Sequence, residues 1–278
     1  PRMPDAAMHN VQMTARLSHI NLFPVKSCAP LTPPEGHVEW LGLRGDRRWM
    51  IVDAEGRFLT ARKHPRLVLI NAQVEGANLR LNAPRMPELE LQPAPSGAGL
   101  KVRVWRDDVL GRAATDSADA WISRYLGFPA RLVYMDEQTE RAVDANYARP
   151  GDIVSVADGF PLLLISQASL DLLNSKLASP LPMLRFRPNL VVNGTDAHAE
   201  DGWRSIRIGN IPFDVVKPCI RCVLTTVDPA SGQFDAAGEP LRTLLGYRRT
   251  PNGIAFGQNL IPRGTGTLAL GDAVEVIA

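Results

Sequence analysis

Residues 217–228 read Lys-Pro-Cys-Ile-Arg-Cys-Val-Leu-Thr-Thr-Val-Asp and hold two of the three cysteines in the chain. Arg221 stands between Cys219 and Cys222, and Lys217 lies just upstream. A thiol among cations gives up its proton more readily, because the positive field stabilises the thiolate. A thiolate is both a nucleophile and a soft metal ligand. The segment therefore admits a redox dithiol, a metal site or a covalent nucleophile.

A structural zinc site needs four ligands, usually in two close pairs. Here there is one close pair, a distant Cys28, and five scattered histidines (His9, His19, His37, His64 and His198) without ligand spacing. A thioredoxin-like dithiol opens a helix after a strand. Val223 to Val227 is instead rich in β-branched residues and runs into Pro229, which predicts a strand. A third reading makes both thiols small buried hydrophobes. Asp228 is a candidate catalytic acid, although Asp228-Pro-Ala-Ser-Gly232 is also a good turn sequence.

Cations gather at other turns. Lys26-Ser27 follows Phe23-Pro24-Val25, Arg44, Arg47 and Arg48 surround Gly45-Asp46, and Arg185 and Arg187 flank Phe186. Strand ends and turns bring side chains and free backbone N–H groups to face an anion. Arginine suits bidentate phosphate binding and lysine acts as a point charge.

Elements that would carry these groups are mostly strands. Residues 15–23, 48–53, 66–74, 79–81, 100–105 and 131–135 are short, alternating or β-branched, and set off by turn residues. Asp53-Ala-Glu-Gly56 predicts a hairpin turn. Helices are predicted at 116–126, capped by an Asp or Ser and ended by Gly127, at 166–177, and at 239–248 with Pro240 near its start. The polar stretch 136–150 reads as a surface loop or boundary. The expected architecture is mixed β/α and mainly β, with an N-terminal β-rich unit over 13–135 and a second over 150–278.

Composition narrows the function classes. A hydrophobic content of 45% supports a packed core, and a net charge of +2 without a basic block gives no footprint for nucleic acid. The longest apolar runs, such as 67–70 and 162–165, are too short for a helix to cross a bilayer, so no membrane partner is expected. Three cysteines make a poor disulfide framework, which points to a reducing, cytoplasmic setting. Residues 1–12 lack a charged-then-apolar leader and read as a frayed arm.

Taken in order, several blocks resemble the MOSC family, named for the C-terminal domain of molybdenum-cofactor sulfurases. They are Leu22-Phe-Pro-Val-Lys-Ser-Cys28, Gly45-Asp-Arg-Arg-Trp49, Phe58-Leu-Thr-Ala-Arg62, Asp158-Gly-Phe-Pro-Leu-Leu-Leu-Ile-Ser166, Phe186-Arg-Pro-Asn189, Cys219 through Pro229, and Phe256-Gly-Gln-Asn259. The likeness is greatest to a branch holding bacterial reductases of N-hydroxylated bases and the mitochondrial amidoxime-reducing components. It implies a MOSC-associated β-rich domain packed on a MOSC β-barrel, with a molybdopterin-type molybdenum cofactor held between them. By position, Cys222 would be the metal ligand and Cys219 scaffold, with Arg221 the electrostatic partner of Cys222. Lys26, Ser27, Arg47, Asp158, Arg187, Asn189, Arg221 and Asn259 would bind the cofactor, Asn259 standing where mitochondrial members carry a tyrosine. Gly159, Phe160 and Ile220 replace hydroxylated residues, leaving only backbone contacts there.

The implied reaction is reduction of an N–O bond in a small N-hydroxylated substrate, with Cys222 and Asp228 as catalytic residues. A plant-type iron–sulfur cluster takes four spaced cysteines. With three cysteines, no such cluster is expected in these residues, and electrons would come from a separate ferredoxin- or flavoprotein-type donor or from a ferredoxin-like domain of a longer chain. The family's association with pyridoxal phosphate would need Lys26 as a Schiff base, and one lysine in a phosphate-like setting does not make that case. A sulfur carrier with a persulfide on Cys222, and a non-catalytic cofactor-binding module, are the alternatives.

Overall fold

The computed structural model describes residues 15–75, 78–91, 99–136 and 139–278. Strands dominate, as the short alternating runs predict, and the longest are Ile211–Ile220 and Gly253–Pro262. These two pair antiparallel at the centre of an eight-stranded sheet. Leu162–Ser166 lies on the other side of Gly253–Pro262 and pairs parallel with Leu190–Asn193, through a connection that contains the helix Gln167–Asn174. At the far edge Ser205–Ile208 joins Ile211–Ile220 to Val274–Val276.

The sheet nearly closes on itself. Arg16–Ile20 pairs with Leu190–Asn193, and its start also bonds the chain before Val274: Leu17 N–H to the Asp272 carbonyl at 2.9 Å, Val274 N–H to the Ala15 carbonyl at 2.8 Å. Closure removes exposed strand edges. It encloses a core of Leu17, Ile20, Leu164, Val192, Ile206, Phe213 and Leu260, each buried. The first described strand, read from sequence with the N-terminal unit, thus hydrogen-bonds into the barrel of the C-terminal half. Glu35–Glu39 does likewise, pairing with Gly266–Ala269.

Residues 49–134 build the other core. Trp49–Asp53, Ala130–Tyr134, Asp107–Ala113 and Gly99–Val104 form a four-stranded antiparallel sheet. The helix Asp116–Leu126 packs Ala118, Trp121, Ile122 and Tyr125 into this core, a stripe at helical spacing. Its cap is Thr115, whose side chain accepts from Ala118 N–H at 3.3 Å, one residue before the Asp the sequence suggested. Gly127 ends the helix in left-handed backbone, φ 84°, as expected.

Two predicted strands are in part 3-10 turns. Pro65–Leu69 is one, followed by the strand Asn71–Glu75, because proline cannot donate to a ladder and fixes φ for a turn. Val223–Thr226 is the other, described below. The hairpin turn at Asp53-Ala-Glu-Gly56 forms, with Asp53 N–H bonded to the Arg57 carbonyl at 2.9 Å. Among the described residues no helix is long and apolar enough to cross a membrane.

Candidate functional site: a cationic cleft around Cys222

Seven separate chain segments converge on one solvent-open cleft of about 790 Å³. Lys26, Ser27, Arg47, Asp158, Arg187, Asn189, Arg221, Cys222 and Asn259 all line it, together with Thr60, Arg62 and Cys219. Five cations (Lys26, Arg47, Arg62, Arg187 and Arg221) face one carboxylate, Asp158. Low-dielectric walls lined with one sign of charge concentrate a field that favours an anionic ligand.

Backbone geometry marks the same place. Ser27, Arg47 and Arg187 all adopt left-handed φ, at 70°, 48° and 56°. For residues with a Cβ that conformation costs about 1–2 kcal/mol each, and such strain concentrates where function requires it. Arg47 is held there by its N–H on the Phe23 carbonyl at 2.7 Å, and Arg187 by its N–H on the Leu184 carbonyl at 3.2 Å.

The sequence clusters separate once folded. Of the three arginines around Gly45-Asp46, only Arg47 enters the cleft. Arg44 pairs with Glu39 on the surface at 2.6 Å, and Arg48 turns inward to the Met135 carbonyl at 2.8 Å. Arg47 donates to Asp46 Oδ2 at 2.5 Å and to Asn189 Oδ1 at 3.0 Å. Arg187 faces the cleft, whereas Arg185 reaches away to the Thr226 carbonyl at 3.0 Å.

Arg187 and Arg47 both lie over the Phe23 ring, with Cζ 4.2 and 4.4 Å from its centroid. Burial, and then Arg47, bring Arg187 down to about 9. Its Nη2 and the Nε of Arg221 are buried without a hydrogen-bond partner. Buried guanidinium donors rarely go unpaired.

Lys26 is 5% exposed and donates to Asp158 Oδ1 at 2.5 Å. Burial lowers its ammonium to about 8, against the pull of Asp158. Asp158 is itself exposed at the cleft mouth; the surrounding walls partly desolvate it, but Lys26 and Arg62 outweigh that and hold the carboxyl below the usual range. The loop under Asp158 is fixed by Arg141, which donates to the carbonyls of Ser155, Ala157 and Asp158 at 3.1, 2.5 and 3.0 Å. Arg141 sits in the stretch read as a polar surface loop, yet it is 7% exposed. Composition does not distinguish a solvated arginine from one that organises three carbonyls.

Around the thiols the structure corrects three expectations. Ile211–Ile220 ends before Cys222, and Val223–Thr226 is a 3-10 turn with Cys222 at its cap position. The run of β-branched residues turns there because Thr225 and Thr226 hydroxyls bond the Cys222 and Val223 carbonyls, at 3.0 and 2.8 Å. Second, Arg221 is the partner of Cys219, with Nη1 to Sγ at 2.8 Å, and its Nη2 is anchored on the Phe186 carbonyl at 2.6 Å. Adjacent residues at a strand end point apart, so Arg221 does not turn onto Cys222. The basic partner of Cys222 is Arg62, with Nε to Sγ at 3.0 Å, and its Nη2 bonds Asp158 Oδ2 at 2.7 Å. Sequence assigns Arg62 no role of its own; its only signal is membership of the block Phe58-Leu-Thr-Ala-Arg62.

Third, Asp228 does not line the cleft. Its Oδ1 accepts from Ala230 and Ser231 N–H at 2.7 and 3.1 Å, which is the turn its sequence allows. Cys28 is fully buried, and burial raises its thiol to about 12, so it is an inert core residue. Asn189 lies in the wall and ties it together, accepting from Leu163 N–H at 3.2 Å and donating to the Asn21 carbonyl at 3.1 Å. Asn259 donates to the Lys217 carbonyl at 3.1 Å.

A nearly closed β-sheet with a basic cleft around Cys222 is what the resemblance to the MOSC family implies. The family models agree: residues 14–129 match the MOSC N-terminal beta barrel domain and residues 152–275 the MOSC domain. The chain belongs to the MOSC family, in the branch of the mitochondrial amidoxime-reducing components. It is 35% identical over 293 residues to mitochondrial amidoxime-reducing component 1 of Xenopus laevis, covering 98% of this chain and 85% of that one. Identity to the human component 1 is 34% over 292 residues, covering 99% and 86%. Identity to the human component 2 is 36% over 253 residues, covering 86% and 74%.

Proposed function

We propose that this chain is a molybdenum-cofactor-dependent reductase of N-hydroxylated compounds. The observation that carries the reading is the convergence on one cleft of Cys222, held by Arg62, with five cations. Its relatives' name supplies the reaction class: they are amidoxime-reducing components.

The donor set fits a cofactor that brings most of its own metal ligands. Among the described residues no three His, Cys, Asp or Glu side chains group to hold a metal. Cys222 would give the one protein ligand, as a soft thiolate suited to molybdenum. Arg187, Arg47, Lys26 and Arg221, which line the cleft, would hold the phosphate. Ser27, Asn189 and Asn259 would complete the walls. When bound, the cofactor supplies two-electron redox chemistry at a metal able to accept oxygen.

The net reaction takes the N-hydroxylated base, two electrons and two protons to the reduced base and water. The protein's share is to bind and orient. Arg62 holds Cys222 Sγ from one side, and Arg141 fixes the loop that carries Asp158. Lys26 Nζ, near 8, is the cleft ammonium closest to neutrality and can hold a proton beside bound anion and substrate. Cys28 is buried and the other two thiols are in the cleft, so electron delivery is assigned to a separate ferredoxin- or flavoprotein-type donor.

The test is metal analysis and reduction of an aromatic amidoxime by an artificial donor, on protein from a cofactor-competent host. One molybdenum per chain, lost in Cys222→Ala and kept in Cys219→Ala, is expected. Activity surviving in Cys222→Ala defeats the assignment. Persistent absence of metal with a persulfide on Cys222 favours a sulfur carrier.

A further inference from the structure

The hairpin joining Gly99–Val104 to Asp107–Ala113 carries a tryptophan at its tip. Trp105 is 44% exposed and its backbone is left-handed, φ 58°. That conformation at the first central position of a two-residue hairpin favours glycine. A bulky ring there is strained, so the turn is not the reason for it.

Its contacts supply a reason. The indole lies against the Arg62 guanidinium, Cζ 4.5 Å from the ring centroid, and packs on Phe58 at 4.8 Å. Its Nε1 donates to Asp158 Oδ1 at 3.3 Å. Arg62 is thereby held on one face by the ring and along its edges by Cys222 Sγ and Asp158 Oδ2. Cys219 has its own arginine two residues along the chain. Arg62 comes from 160 positions away on a long flexible stem, and needs something to hold it.

We propose that Trp105 is a positioning residue for the metal site: by fixing Arg62 it fixes the N–H···S bond to Cys222, and so presents Cys222 rather than Cys219 to the metal. This rests on Cys222 being the metal ligand. A thiolate bound to a metal still accepts an N–H bond, and such bonds orient the ligand and tune the metal.

Full chains carrying Trp105→Ala, Trp105→Phe, Arg62→Met and Cys222→Ala are made in a cofactor-competent host. Molybdenum per chain after prolonged dialysis, the thermal midpoint, and the paramagnetic resonance spectrum of the half-reduced centre are measured. Loss of an outer-shell partner weakens metal affinity by about ten- to hundredfold, so Arg62→Met should lose its molybdenum in dialysis about tenfold faster than wild type and retain less of it. Trp105→Ala should fall in the same direction with shifted g-values, and Trp105→Phe, which keeps the stack, should restore both. Metal kept by Cys222→Ala would overturn the ligand assignment itself. Metal lost by Cys222→Ala but held at wild-type level, with unchanged g-values, in Trp105→Ala would overturn the role of Trp105 alone. Metal loss in Trp105→Ala matched by a lower thermal midpoint and not restored by Trp105→Phe would also overturn it, since general destabilisation gives that pattern.

Discussion

Arg187→Met should make the cofactor-free protein more stable and less able to bind an anion. Arg187 has no carboxylate at ion-pair distance among the described residues, a neighbouring cation in Arg47, and an unpaired buried Nη2. Its lowering from 12.5 to about 9, at about 1.4 kcal/mol per tenfold change in proton affinity, bounds the penalty of its charge at about 5 kcal/mol. With relaxation removing about half of that bound and the lost cation–π contact with Phe23 about 1 kcal/mol more, the net gain is about 1.5 kcal/mol. Methionine keeps the packing on that ring. For a chain of this size such a gain raises the melting temperature by about 5 °C. The assay is thermal unfolding of both proteins with and without inorganic pyrophosphate, because a ligand that binds only the folded state raises the midpoint. Wild type should melt lower and respond strongly to the anion; the variant should melt higher and respond weakly. A variant that melts lower, or gains as much from pyrophosphate as wild type, would refute the view of Arg187 as an uncompensated cation kept for its ligand.

Other outcomes follow from the same geometry. Lys26 releases its proton near 8 when folded and near 10.5 when unfolded. Between those values the unfolded chain binds more protons, so the stability of wild type relative to Lys26→Met should rise with pH, by at most about 1.4 kcal/mol per unit. Below pH 8 the penalty is fully present. Denaturant titrations across pH 7 to 10 check this, and a flat difference would contradict it. Asp228→Ala should cost about 1–2 kcal/mol through its two lost turn bonds while leaving turnover within about twofold. A large fall in turnover at unchanged stability would restore a catalytic role. Gly257→Ala should destabilise by about 3 kcal/mol or more, since Gly257 has φ 83° and an added Cβ would meet Ile165 Cγ1 at 2.5 Å and the Leu164 carbonyl oxygen at 2.8 Å. An unchanged urea midpoint would refute it.

Much of this molecule was legible from its sequence because the relevant signals are local. Alternating runs give strands whatever their partners, and Asp116–Leu126 carries its own apolar stripe and its own glycine stop. The motif blocks named nine cleft residues because each block is a short turn or strand end that positions its own side chain. Other features depend on partners far away in the chain. That Arg16–Ile20 belongs to the C-terminal barrel depends on Leu190–Asn193, and a strand's own pattern does not encode its neighbour. Whether Val223–Thr226 extends a strand or turns depends on where the ladder to Gly253–Pro262 stops.

The two thiols show the division most sharply. Residue type alone determined that a Cys-x-x-Cys pair among cations can bind a soft metal. Which arginine serves which sulfur was decided by tertiary structure, since proximity in sequence put Arg221 beside both. The strand end aims it at Cys219, and the turn after Ile220 exposes Cys222 to Arg62 from the other half of the chain. A side chain on a flexible stem takes its direction from what packs against it, and for Arg62 that is Trp105 and Asp158, 43 and 96 positions away in sequence.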